Sequence, residues 1–387
     1  MKVIPPGKCN ITVCGNATDS ATSVKLTTNM SIKAISDSNG DFSLNVSTES
    51  VPIGEYPITA GGIEKTVLIV SALVHNCEEL QNIKNLSGTC YVCLARDIDC
   101  SCTAGWNEGA GFVPIGNSSN PFTGTFDGRG HKITNLYINR PSMNYVGMFG
   151  YTDGSEIRNV TLENITVKGD WWVGGLAAVN NGTISGSCSI GGTVSGYDGI
   201  GLVGFNDEGG IVSKSCSIGG SVSGTWDVGG IMGWNYHGIV QNSYSTTNAA
   251  HYNRVGGLVG YNHFGTVRNS YSTGSVSGYY YVGGLVGRNA YGIVLNSYST
   301  GNVDGGDPGF AGGLIGWDES GTVLHSYWDI ETSGRSSSAG GEGKTTAEMK
   351  QQATFIGWDF INIWNIIEGV TYPYLRWEEA PVLWTRY

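Results

Sequence analysis

Charge is scarce in this sequence. Only 14% of the 387 residues are Asp, Glu, Lys or Arg, and the 32 acids outnumber the 21 bases. Binding a phosphate backbone needs clustered cations, so nucleic acid is excluded as a partner. Long apolar runs are missing too: the longest, Thr66 to Val74, is far short of the roughly 20 residues that cross a bilayer as a helix. No membrane insertion is predicted. The opening MKVIPPGKCN lacks a leader's apolar stretch, so a signal peptide is expected to be absent or already removed. None of the six His sits in His-Glu-x-x-His, which removes the zinc-peptidase pattern.

Glycine and aromatics are abundant, with 61 Gly, 20 Tyr and 11 Trp. That mixture suits many short strands joined by tight turns. Export is read from two features. Sequons for N-glycosylation stand at Asn10, Asn16, Asn29, Asn45, Asn85, Asn117, Asn159, Asn164 and Asn181, and none follows, which predicts a glycan-covered first half and a bare second half. The nine cysteines are Cys9, Cys14, Cys77, Cys90, Cys93, Cys100, Cys102, Cys188 and Cys216. All are disulfide candidates in an oxidising compartment, and the odd count leaves at least one thiol over.

Internal repetition decides the architecture. YVGMFG is followed by WVGGLAAVN, DGIGLVGFN, VGGIMGWN, VGGLVGYN, VGGLVGRN and AGGLIGWD, placing Met148, Leu176, Leu202, Ile231, Leu258, Leu285 and Leu314 at steps of 28, 26, 29, 27, 27 and 29 residues. A second block follows each, as in GTVRNSYSTGSVSG and GIVLNSYSTGNVDG. A unit of this length with three short strands fits one coil of a right-handed parallel β-helix, its coils stacked about 4.8 Å apart. A propeller blade needs about 40 residues and four strands, which this unit lacks. Stacking predicts ladders of like side chains: an interior column of Ile157, Ile184, Val212, Val240, Val267, Val294 and Val323, and a turn column of Asn180, Asn206, Asn235, Asn262, Asn289 and Asp318, read as positions of left-handed backbone.

Together with the FTGTFDG opening and the YPYLRW ending, the VGGLVG and NSYSTG blocks make residues 77 to 377 resemble the GLUG-motif repeat proteins of microbial surfaces. The resemblance implies a noncatalytic extracellular scaffold. The SCSIGG coils depart from the family's usual SYSTG. Residues 8 to 72 alternate apolar and polar residues as antiparallel strands do, and resemble Ig-like or carboxypeptidase-regulatory-like modules. The expected organisation is all-β: an Ig-like β-sandwich over 1–74, a Cys-rich cap and first coil over 75–121, the repeat β-helix over 122–344, and a C-terminal cap and tail over 345–387. TTAEMKQQ, 345 to 352, is the one helix predicted.

Several motifs imitate chemistry. Gly199-Ile-Gly-Leu-Val-Gly204 matches a dinucleotide fingerprint, but it is one of the repeats and no helix follows. SAGGEGKT approaches a phosphate loop, with Ser338 in place of the first Gly. Asp37, Asn39 and Asp41 suggest a calcium loop, although no Glu closes it. Cys90, Cys93, Cys100 and Cys102 approach metal spacing, with disulfides preferred. Cys188 and Cys216 occupy one slot in adjacent coils, either bridged or as two buried thiols. No metal or cofactor is expected.

The candidate binding aromatics are Trp234, Tyr261 and Trp317 on one turn with Phe205, and Trp171, Trp172 and Trp226 on another edge with Tyr279 to Tyr281. They could stack on sugars or on a neighbouring protein, or pack at the core edge. The expected function is that of a structural subunit of a surface layer, sheath or filament that self-associates through its sequon-free C-terminal half and the tail EEAPVLWTRY. An adhesin binding glycans through the aromatics is the alternative. A polysaccharide-cleaving enzyme using Asp304, Asp307, Asp318 and Glu319 ranks third.

Overall fold

The computed structural model describes residues 70–86 and 90–378 in full, and the backbone of seven strands between residues 2 and 69. Side chains of Cys9, Cys14, Asn10, Asn16, Asn29 and Asn45, the calcium-like loop and the tail 379–387 lie outside the described residues. Within 2–69, five strands form one sheet, and Asn10–Asn16 pairs antiparallel with Asp41–Ser47 as another.

From residue 72 onward the chain winds into a parallel β-solenoid. In one coil, Asn253–Gly256, Val259–His263 and Thr266–Arg268 lie on a long sheet, Tyr271–Ser272 on a second and Val276–Gly278 on a third. The chain then re-enters the long sheet one rung on at Tyr280–Gly283. The second sheet stacks ten strands and the third seven. Pairing is parallel and in register: Val267 faces Val294, Tyr271 faces Tyr298, and Val276 faces Val303. The repeat length therefore equals the coil length, and each side chain meets its own counterpart above and below.

The interior columns form as the repeat pattern predicts. Met148, Leu176, Leu202, Ile231, Leu258, Leu285 and Leu314 are buried, as are Ile157, Ile184, Val212, Val240, Val267 and Val294. Val323 is only half-buried, because no further coil follows it and Gly340 closes over it instead. The second glycine of VGG is required by packing. A Cβ on Gly257 would fall 2.2 Å from Ser272 Oγ and 2.4 Å from the Gly284 carbonyl oxygen, distances no side chain tolerates.

The asparagine column needs a correction. Asn180, Asn206, Asn235, Asn262 and Asn289 lie in extended strands and are fully buried. Each Nδ2 donates to the next Oδ1 along the axis, at 2.8, 2.9, 2.8 and 2.8 Å, and Asn289 donates to Asp318 Oδ1 at 2.6 Å. The same Nδ2 also donates to a glycine carbonyl of its own turn, as Asn262 does to Gly265 at 3.0 Å. Thr152 Oγ1 donates into the first amide and Asp318 accepts at the last, so the ladder is closed at both ends. Left-handed geometry falls instead at the corner asparagines Asn242, Asn269 and Asn296. A parallel ladder runs through Ser187, Ser215, Ser243, Ser270, Ser297 and Ser326, whose backbone N–H groups donate to the hydroxyl of the next coil.

Both ends are covered. Ala72–Val74 pairs with Val92–Leu94 as the first rung, and the helix Cys77–Asn82, capped by Asn76, lays Leu80 over that end. A disulfide between Cys77 and Cys100 ties this helix to the coil. At the far end Ser338 Oγ accepts from Leu314 and Ile315, and Glu342–Lys344 adds the last strand. The phosphate-loop imitation therefore belongs to this closing segment. The predicted helix over 345–352 is replaced by short 3-10 turns at Glu348–Lys350 and Gln352–Thr354, because Met349 turns inward to a fully buried site among the cap's aromatic rings.

That cap then runs back along the second sheet. Cys188, Cys216, Tyr244, Tyr271, Tyr298 and Tyr327 occupy one register column. Trp358, Trp364, Leu375 and Trp377 cover its tyrosine part, with Trp377 Nε1 donating to Asn242 O at 2.8 Å. Where the described cap ends, the column changes to cysteine and a disulfide joins Cys188 to Cys216, Cα to Cα 4.5 Å.

Replacing Asn262 with Ala breaks the amide ladder in mid-stack and leaves buried partners unpaired, so guanidinium unfolding should show a loss of about 3 kcal/mol. Glu378, which accepts from the Tyr271 hydroxyl at 2.8 Å, is pushed up by burial to about 7. The folded chain thus holds this proton more tightly than the unfolded one, and cap docking should weaken as pH rises from about 5 to about 8. Tryptophan fluorescence should follow that transition in the wild type and lose it in Glu378→Gln.

Candidate functional site: an aromatic flank over buried charges

One position of the repeat, directly before its Val-Gly or Ile-Gly step, varies where its surroundings do not: Tyr145, Trp172, Gly199, Asp227, Arg254 and Tyr281. All six have left-handed backbone, with φ between 50° and 64°. Only Gly199 is the residue type that conformation favours; each of the others costs about 1–2 kcal/mol there. Gly199 also makes room for a ring, since a Cβ on it would meet Trp172 Cδ1 at 2.7 Å. The dinucleotide-like motif is thus a strand with a tryptophan lying across its first glycine.

A second column runs beside the first, with Phe205, Trp234, Tyr261, Arg288 and Trp317 in register. The two interleave into one surface along the coil axis. Ring centroids lie 5.1 Å apart from Tyr145 to Trp172, 5.5 Å on to Phe205, 5.2 Å to Trp234 and 5.6 Å to Tyr261. Beyond Tyr261 the Arg288 guanidinium continues the row toward Tyr281, and Tyr281 packs on Phe310 and Trp317.

The sequence expectation for the aromatics is corrected in two places. Trp172 and Tyr281 join the Phe205 row instead of a separate edge. Tyr261 is buried and offers no free face, because Arg254 and Arg288 lie 4.7 and 5.1 Å from its ring centre. Trp226 lies under the same Arg254. Trp171 and Trp317 stay open, 41% and 39% exposed, and Trp234 is half-buried.

Beneath these rings lies a charge cluster that no motif announced. Asp227 is fully buried and Asp198 nearly so, and their carboxyls face each other closely enough for one proton to bridge them. Burial pushes both above the usual carboxylate range, and the Arg254 guanidinium opposes that rise. Arg254 Nε sits 2.7 Å from Asp227 Oδ1, off the line of a good hydrogen bond, so the contact is an ion pair. Arg288 is paired with Glu319. The signal that could have found this cluster is one variable position, carrying Asp227 and then Arg254, in an otherwise regular repeat.

The acids proposed for hydrolysis do not converge. Asp304 is exposed, Asp307 caps a turn through Gly309, Asp318 ends the amide ladder, and Glu319 holds Arg288. No group of three metal-ligating side chains occurs among the described residues. Three of the disulfide candidates are free thiols: Cys90 and Cys93 are buried and Cys102 is exposed. Their spacing fails as a site because Cys100 is bonded to Cys77, and burial raises the Cys93 thiol to about 12. Asn85, Asn117, Asn159 and Asn164 are exposed, whereas Asn181 is half-buried and donates to Asp153.

Residues 251–277 and 278–304 each match the GLUG motif, so the chain is a parallel β-solenoid carrying GLUG-motif repeats. Over 118 residues it is 43% identical to halomucin of Haloquadratum walsbyi, a match spanning 29% of this chain and 1% of that protein. A protein of Evansella cellulosilytica, provisionally described as a Gly-rich membrane protein, is 38% identical over 118 residues, which is 29% of this chain and 13% of its own length. The matches thus span a small part of either relative. A Bacteroides ovatus crystal structure, provisionally described as an immunoglobulin A1 protease, aligns with a TM-score of 0.50 at 21% identity, covering 79% of this chain and 92% of that one. At that identity the likeness concerns the fold alone. No helix among the described residues is long and apolar enough to cross a membrane.

Removing Arg254 leaves a buried carboxylate uncompensated, so Arg254→Gln should cost about 3–5 kcal/mol in chemical denaturation. Most of that loss should disappear in the Asp227→Asn background.

Proposed function

We propose that this protein is an extracellular structural subunit of a cell-surface assembly such as a surface layer, sheath or filament, with no catalytic role. The observation that carries the reading is the in-register stack itself. Its buried amides and hydroxyls are engaged in ladders from coil to coil, which makes a stiff rod, and of the acids considered for chemistry Asp307, Asp318 and Glu319 are held in structural contacts. Surface placement is supported by the names of the relatives, a halomucin and a Gly-rich membrane protein, and by two disulfides.

Covered ends direct assembly to the flanks, since an open terminal rung would otherwise add strands end to end. The sequons stop at Asn181, so attached glycans leave the later coils free to pack. Analytical ultracentrifugation of the purified chain, with electron microscopy of native surface material, tests this reading. Concentration-dependent oligomers and a regular array are expected. A chain that stays monomeric at high concentration and is absent from any array would overturn it.

A further inference from the structure

We propose that the aromatic flank is a binding surface for a neutral polysaccharide chain laid along the coil axis. Folding does not explain these rings. Trp172, Phe205 and Trp234 lie outside the solenoid's buried cluster and stay half-exposed. Trp172 and Tyr281 occupy left-handed positions that the adjacent coil fills with Gly199 in the first case and Arg254 in the second, so bulky rings are retained there against the local backbone preference.

Polar groups are interleaved with the rings and unmet. The indole N–H groups of Trp172 and Trp234 have no hydrogen-bond partner among the described residues. Buried polar groups are nearly always paired in folded proteins, so such a concentration calls for a ligand or solvent to complete it. Apolar ring faces beside unmet donors suit a ligand with apolar faces and a hydroxyl-bearing rim, which describes a pyranose.

The ligand must also repeat. The surface recurs from coil to coil with rings 5.1 to 5.5 Å apart from Tyr145 to Trp234, and a linear polymer of one sugar meets that translation with equivalent contacts. Charge selects a neutral polymer, because Arg254 is paired with Asp227 and Arg288 with Glu319. An anionic chain would find both flank cations already neutralised and the whole molecule acidic.

The test is retention of the purified chain on insoluble cellulose, chitin and mannan, and affinity electrophoresis in soluble mixed-linkage glucan, with alginate as the anionic control. The wild type is expected to bind at least one neutral polymer and not alginate. Trp234→Ala and Trp172→Gly should each weaken binding about ten-fold. Leu324→Ala, exposed elsewhere on the rod, should leave it unchanged. Trp172→Gly keeps the test independent of folding, since glycine already fills this place in the next coil, and its melting temperature should match the wild type. Failure to bind any neutral polymer, equal binding by the tryptophan variants, or binding to alginate alone would overturn the proposal. So would self-association lost in Trp172→Gly without polymer binding, which would assign the flank to a second copy of this chain.

Discussion

Coil-to-coil hydrogen bonding at a spacing of about 4.8 Å is the constraint from which the rest of this structure follows. Once strands pair in parallel and in register, every side chain must tolerate a copy of its own position directly above and below. Valine and isoleucine satisfy that by apolar contact, and asparagine by an amide that donates along the axis while accepting from behind. A glycine is needed wherever the next coil's backbone occupies the place of a Cβ, as at Gly257. Residues unable to meet their own copy, above all like charges, are kept out of the column or face an opposite charge one coil on, as Arg254 does Asp227.

A stack with this logic has a problem only at its ends, and the chain resolves each end differently. The first rung is closed by a short helix held by a disulfide. The last is closed by a strand and an aromatic cap that folds back along the second sheet. The switch from tyrosine to cysteine in one register column marks how far that cap is described to reach. Rings are used where the described cap covers them, and a covalent rung-to-rung bond is used beyond its described extent.

Much of this was legible before any coordinates. The repeat length, the interior valines and the parallel solenoid follow from periodicity, because a fixed period with turn residues admits few architectures. The imitation motifs could be set aside for the same reason. The reading failed where one letter has two uses. Asparagine is common in left-handed corners and also in buried amide ladders, and the repeat contains both, at Asn269 and Asn262. TTAEMKQQ reads as a helix by propensity, yet a buried Met349 holds it in single turns.

Composition and period thus sufficed to establish the rod and its core, since those depend on contacts between equivalent positions, whereas the three strands expected per coil are five, spread over three sheets. The aromatic flank over the Asp198, Asp227 and Arg254 cluster, the pairing among Cys77, Cys100, Cys188 and Cys216, and the path of the cap were decided only by the folded chain. Cys188 and Cys216 share one slot, as Asp227 and Arg254 do, so there only the chemistry of the contact was left open. Asp198 with Asp227, Cys77 with Cys100 and the cap with its sheet join positions that are not equivalent in the repeat, and proximity between such positions is set by how the coils bend and close, which no period encodes.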